Sequence, residues 1–221
     1  MIVSHQHQFV FVKTAKTAGT SIEIALSDHC GPNDIVTPIF HKDEVLREVG
    51  PQNTRIPLRS RLRDVGSVRQ RLAGQYWNHM PATYVRSALG QQVWDQYLTF
   101  TVERNPYDRA ISKYWWATRN DDPRPSLLEF LAAGRYLSNW PKYAIDDQVG
   151  VDLVLRYESL EKDLAELSDR LALDIALPQT RAKGNFRADR RPYQEVLGAE
   201  ERAVIERVCA REFETFGYDW L

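Results

Sequence analysis

Two short stretches of this sequence have the residue types and spacing to hold an anion. In FVFVKTAKTAGTS, residues 9–21, an apolar run ends in a turn of small and hydroxyl residues before a helix-forming segment. A strand, a tight turn and a helix N-terminus gather backbone N–H groups and the positive end of the helix dipole at one point, which suits phosphate or sulfate. Ala18 and Gly19 let an anion approach the backbone, Lys16 adds a cation, and Thr17, Thr20 and Ser21 add hydroxyl donors. A nucleoside triphosphate loop ends in Gly-Lys-Ser/Thr, which reaches the outer phosphates and holds Mg²⁺. Here Lys16 precedes Gly19, and that pair is missing.

In the second stretch, TVERNPYDRAISKYWW at 101–116, Arg104 stands at the carboxyl end of an apolar strand and Ser112 lies two turns into the next helix. An arginine placed there faces the crevice of a parallel sheet and suits a second phosphate. Read alone, such an arginine is more often a salt-bridge partner for Asp108 or another acid. A third candidate is His79, in YWNHMPATYVRSALG. Imidazole, with a reference pKa of ~6.5, offers a neutral form to accept a proton at physiological pH. Pro81 and Gly90 bracket a helix, which places His79 just before its N-terminus, where the dipole favours the neutral ring. A lone histidine is also a common structural residue.

The elements that must position these groups follow from the patterning. Near-continuous apolar runs at 8–13, 96–103 and 151–158 read as buried parallel strands. A helix begins at Thr20, where Thr20-Ser21-Ile22-Glu23 fits a capping box, and ends before Gly31-Pro32. Asn105 caps a second helix with Pro106 at its first position. Further helices cover SLEKDLAELSDRLAL and roughly 199–214. Strand–helix alternation predicts an α/β fold, a P-loop-like three-layer domain with a central parallel sheet flanked by helices. The 221 residues are expected to form a single domain, with about 38–80 a less regular insertion that binds the acceptor. Residues 55–71 of that region hold six arginines, Arg55, Arg59, Arg61, Arg63, Arg69 and Arg71, against one acid, Asp64. They suit an anionic acceptor or, equally, a solvated face.

Composition bounds the partners. A net charge of −1 supplies no global argument for nucleic acid or an anionic membrane, so an anion site must be local. Cys30 and Cys209 make no disulfide framework. The N-terminus lacks the pattern of a signal peptide, and no apolar run has the length of a membrane span. A cytoplasmic protein is expected. His5 and His7, two apart on an N-terminal segment expected to be mobile, are a poor metal site, and no metal is expected.

Together the stretches resemble the sulfotransferases that use 3′-phosphoadenosine 5′-phosphosulfate (PAPS), particularly the carbohydrate branch and its soluble bacterial members. That family's 5′-phosphosulfate loop has the form Lys-Thr-Gly-Gly-Thr-Ser, matched by Lys16 to Ser21 with Ala18 for a glycine. Its 3′-phosphate segment is matched from Arg104 to Arg109, then Ser112 and Tyr114, with Glu103 where an apolar residue is usual. LRYESL at 155–160, KGNF at 183–186 and FETFGYDW near the end are similar to later parts of the family. The resemblance implies that the loop residues Lys16, Thr17, Ala18, Gly19, Thr20 and Ser21 bind the 5′ end of the donor. It assigns the 3′-phosphate to Arg104 and Ser112, adds Lys183 and Asn185 to the nucleotide site, and makes Lys16 catalytic. It supports His79 as the general base, with Glu23 the alternative because some relatives use a carboxylate on that helix. The acceptor would be a carbohydrate or other hydroxyl, and the product nucleotide adenosine 3′,5′-bisphosphate. Trp77, Trp115 and Trp116 flank the site segments and offer faces for sugar rings. A P-loop ATP phosphotransferase and a non-catalytic adenosine-bisphosphate sensor are the alternatives.

Overall fold

The computed structural model describes residues 1–57, 74–178 and 189–220. In chain order the elements are β1 (Ile2–Ser4), β2 (Phe9–Phe11), α1 (Gly19–Ser27), β3 (Ile35–Val36), α2 (Ala82–Leu89), α3 (Gln91–Gln96), β4 (Leu98–Glu103), α4 (Pro106–Ala117), α5 (Leu127–Ala132), β5 (Leu153–Arg156), α6 (Leu160–Leu171), α7 (Ala199–Val208) and α8 (Ala210–Phe216). The chain divides into two compact units, Met1–Glu103 with Pro141–Ala182, and Arg104–Trp140 with Lys183–Leu221.

The first unit is built on a five-stranded sheet in the order β3-β1-β2-β4-β5, flanked by helices. The three strands expected from the apolar runs are its parallel part, with Phe11 opposite Phe100 and Val102 opposite Leu155. Two antiparallel strands, β1 and β3, extend it past β2 and were not anticipated. At three and two residues they are too short to show a period. The N-terminal segment is therefore not a mobile tail. Met1 to Ser4 are buried, and the His5 Nδ1 lies 2.8 Å from the Tyr97 hydroxyl. Ile2, Phe9, Phe11, Phe100 and Val102 of the sheet pack with Ile22 and Leu26 of α1 and with Leu160, Leu164 and Leu167 of α6. Of the region 38–80, the described part holds a short 3-10 turn at Glu44–Leu46, and Ile56 N–H donates to the Gly74 carbonyl at 2.7 Å. Of the six arginines there, Arg55 is described, and the other five lie outside the described residues.

The second unit packs α4, α5 and α7 around Tyr107, Ile111, Phe130, Tyr136 and Ile205. Tyr107 stacks on Tyr193 and meets the edge of Trp220, at centroid separations of 5.3 and 5.0 Å. Arg109 is almost wholly buried; its guanidinium donates to the Leu137 carbonyl at 3.0 Å and lies 3.4 Å from the Glu212 carboxylate. The helix expected over 199–214 is two helices that meet at Cys209, a buried residue with φ −112° and ψ 26°.

Helix α4 begins as its sequence requires. The Asn105 side-chain oxygen accepts from the Tyr107 N–H at 3.0 Å, and Pro106 takes the first helical position. Removing this cap by Asn105→Ala should lower unfolding free energy by about 1 kcal/mol in urea denaturation, with the slope of the transition unchanged.

Candidate active site

The turn after β2 grows out of the parallel pairing of β2 and β4. Val12 N–H donates to the Phe100 carbonyl at 2.9 Å, and the Thr101 hydroxyl donates to the Val12 carbonyl at 2.6 Å. One step on, the Thr14 hydroxyl donates to the Val102 carbonyl and lies 2.8 Å from the Thr17 hydroxyl. The backbone then passes through left-handed conformations at Lys16, φ 65°, and Ala18, φ 61°. Alternating conformations of this kind turn successive N–H groups toward one side and make an anion-binding nest. Neither residue is glycine, so each left-handed position stores strain of about 1 kcal/mol. Such strain is characteristic of ligand-binding turns.

Helix α1 starts at Gly19 with Ala18 as its cap, and no side chain caps it, so the Thr20–Glu23 capping box does not form. Glu23 is drawn inward instead. Its carboxylate, fully buried, pairs with Lys13, with the chain-terminal ammonium of Met1 and, at 3.8 Å, with Arg47. Burial alone would raise the Glu23 carboxyl, but the terminal ammonium and Lys13 override it and bring it to about 2. Gly19 is what lets the Lys13 side chain cross under the turn. A Cβ at that position would stand 2.8 Å from the Lys13 Cγ. Thr17, Thr20 and Ser21 are buried, while Lys16 is half-buried.

His79 belongs to the same unit. Its Nδ1–H donates to the Lys13 carbonyl at 3.2 Å. Because that carbonyl only accepts, the ring holds its proton on Nδ1 and leaves the Nε2 lone pair available. His79 precedes α2, as expected, but the helix dipole is not the main reason for its neutrality. Burial, then the charge of Lys13, push the imidazole down to about 3.

In the second unit Arg104, 9% exposed, donates from Nε to the Asp108 carboxylate at 2.9 Å, the partner the spacing offered. Ser112 lies half-buried two turns along the same helix. Glu103, the last residue of β4, points into the first unit, where it is fully buried and accepts from the Tyr143 hydroxyl at 2.9 Å. The indole faces expected to take sugars carry this chain's own cations. Arg124 lies 4.5 Å over Trp115, and Arg119 lies 4.5 Å over Trp116. Trp77 packs near Tyr84 at 6.0 Å. Lys183 and Asn185 lie outside the described residues.

The structure thus brings the 16–21 turn, Glu23 and His79 into one unit and puts Arg104, just ahead of α4, and Ser112, on α4, in the other. Lys13 and Tyr143 escaped the sequence reading. A lysine ending an otherwise apolar strand, ten residues before a glutamate, was the available signal for the first. Among the described residues, no group of three or more His, Cys, Asp or Glu is placed to hold a metal, and no helix is long and apolar enough to cross a membrane.

Comparison with known proteins places the chain in a family. A family model described as the sulfotransferase family matches residues 1–219. An uncharacterized protein of Archaeoglobus fulgidus is 32% identical over 117 residues, 49% of this chain and 98% of its own. A crystal structure of a sulfotransferase from Alicyclobacillus acidocaldarius covers 96% of both chains at 20% identity, with a TM-score of 0.41.

The depressed His79 and Glu23 groups link stability to pH with one sign. The unfolded chain binds a proton at each that the folded chain refuses, so the stability these two groups contribute is full above about pH 6.5 and falls as pH drops toward 3. In His79→Asn, the pH dependence of urea unfolding between about pH 4 and 6 should lose the contribution of up to about one proton. An unchanged slope would mean that His79 titrates normally in the folded chain.

Proposed function

The chain belongs to the sulfotransferase family, and on that premise we propose that it moves a sulfuryl group from PAPS to a hydroxyl of a carbohydrate acceptor. Sulfuryl transfer, like phosphoryl transfer, proceeds in line through a loose transition state and depends on positioning and charge stabilisation. The acceptor oxygen forms its bond to sulfur as its proton passes to His79 Nε2. The bond from sulfur to the bridging oxygen breaks, and adenosine 3′,5′-bisphosphate leaves with the electron pair. Lys16 stabilises the charge that builds on that bridging oxygen. The backbone and hydroxyls of 17–21 hold the 5′-phosphate, and Arg104 and Ser112 hold the 3′-phosphate, with Lys183 and Asn185 contributing to the nucleotide site.

The observation that carries this reading is the hydrogen bond from His79 to the Lys13 carbonyl. It ties a neutral imidazole, with Nε2 available, to the strand end that opens the anion turn. The low proton affinity of His79 is not an obstacle. A donor with several negative charges beside the ring raises it, so the base strengthens when donor arrives. Glu23 is the weaker candidate for that role, because it is buried among cations that hold its proton affinity near the bottom of the carboxylate range.

Calorimetry with adenosine 3′,5′-bisphosphate against ATP–Mg²⁺, followed by transfer of labelled sulfate to a panel of neutral and acidic glycans, tests the proposal. The bisphosphate should bind without metal. Lys16→Ala and His79→Ala should each lower turnover by about 10²-fold or more, with bisphosphate affinity changing far less. Arg104→Ala should instead weaken bisphosphate binding by about tenfold or more. Preference for ATP–Mg²⁺ would favour a phosphotransferase, and bisphosphate binding with no transfer to any glycan would favour a sensor or a different acceptor.

A further inference from the structure

His79 is held from two sides, and one of them is a residue with no role in the reaction as described. The backbone at His79 is left-handed, φ 58°, a conformation uncommon outside glycine. From the ring side, the Lys13 carbonyl accepts from Nδ1–H. From the backbone side, the half-buried Lys142 ammonium donates to the His79 carbonyl at 3.1 Å. Lys142 is itself set in a fastened segment. The Tyr143 hydroxyl donates to buried Glu103 at 2.9 Å, and Gly150 N–H donates to the Tyr143 carbonyl at 2.9 Å. Asp146 and Asp147, both left-handed, then make the two-residue turn that pairs Ala144–Ile145 with Gln148–Val149. The Thr83 hydroxyl of α2 reaches the Ala144 carbonyl at 3.5 Å. The segment after His79 and the segment around Lys142 are therefore joined at two points.

A lysine normally extends its ammonium into water. Here burial lowers the proton affinity of Lys142, and its charge is directed at a main-chain oxygen. The cost of that placement has an explanation if the carbonyl must be kept where it is. We propose that Lys142 is a positioning residue: its hold on the His79 carbonyl keeps the strained backbone in place, so that the ring stays on the Lys13 carbonyl and presents Nε2 to the acceptor hydroxyl. The proposal rests on the assignment of His79 as base. It adds a residue that touches neither donor nor acceptor yet sets how much of the base is in its working tautomer and direction.

The test uses the full chain with Lys142→Met, which keeps the apolar stem and removes the donor, and Lys142→Arg, which keeps a charged donor. Nitrogen-15 NMR of the histidine rings, with the His79 signals assigned by their loss in His79→Gln, reads the tautomer directly. The wild-type protein should show His79 as a neutral ring protonated at Nδ1. Lys142→Met should shift it toward a mixture with the Nε2–H form. With the glycan that the wild-type protein sulfates fastest, kcat of Lys142→Met should fall roughly tenfold, Lys142→Arg should recover part of that loss, and adenosine 3′,5′-bisphosphate affinity should stay within about twofold of wild type. In a His79→Gln background, Lys142→Met should cause no further loss. Wild-type tautomer and turnover in Lys142→Met, with His79→Gln inactive, would overturn this proposal alone. Wild-type turnover in His79→Gln would overturn the base assignment and this proposal with it. A parallel loss of bisphosphate affinity and turnover in Lys142→Met would show a general structural role and also overturn it.

Discussion

The first unit is organised around one buried ion pair, Lys13 with Glu23. It joins Lys13, two residues past the end of β2, to the second turn of α1, and so closes the loop between them from beneath. Two features of that loop answer to it. Gly19 has no side chain because the lysine stem passes there, and Glu23 cannot turn outward to cap its own helix because it is the lysine's partner. A buried carboxylate stripped of such partners is costly, about 3–5 kcal/mol for the loss of one. The pair therefore constrains the turn strongly. Between its two ends the chain passes through the left-handed conformations of Lys16 and Ala18.

The same lysine serves the candidate base through its main chain. Its side chain goes to Glu23 and its carbonyl to His79, so a single residue sets both the floor of the turn and the tautomer of the ring. This separates the two lysines of the motif. Lys13 is committed to the interior, while Lys16, half-buried on a strained turn, is the one whose ammonium the proposed mechanism needs. It also separates the two candidate bases. A carboxylate that neutralises a buried lysine is poorly suited to take a proton, whereas an imidazole kept neutral by burial becomes more basic as negative charge gathers near it.

Much of this was legible in the sequence because the signals were local. The β2–turn–α1 unit, the Asn105 cap with Pro106 behind it, and the helix between Pro81 and Gly90 each depend on a few adjacent residues, and each is present. Family membership was likewise legible, since it rested on the ordered motifs at 16–21 and 104–112. What escaped depends on contacts between distant residues. β1 and β3 are strands only because they pair, and nothing in three apolar residues announces it. The Thr20–Glu23 capping box was a sound local expectation defeated by Lys13, Arg47 and the chain terminus competing for the same carboxylate. The break at Cys209 and the link from Lys142 to His79 are equally nonlocal.

The central claim is that the turn between Lys13 and Glu23 is a cradle for the 5′ end of a nucleotide. A crystal structure with adenosine 3′,5′-bisphosphate tests it most directly, through the position of one phosphorus atom. The account places the 5′-phosphate against the backbone N–H groups of 17–21, with the Lys13–Glu23 pair intact beneath it. A 5′-phosphate bound elsewhere on the chain, or a turn that must break that pair to receive it, would contradict the account.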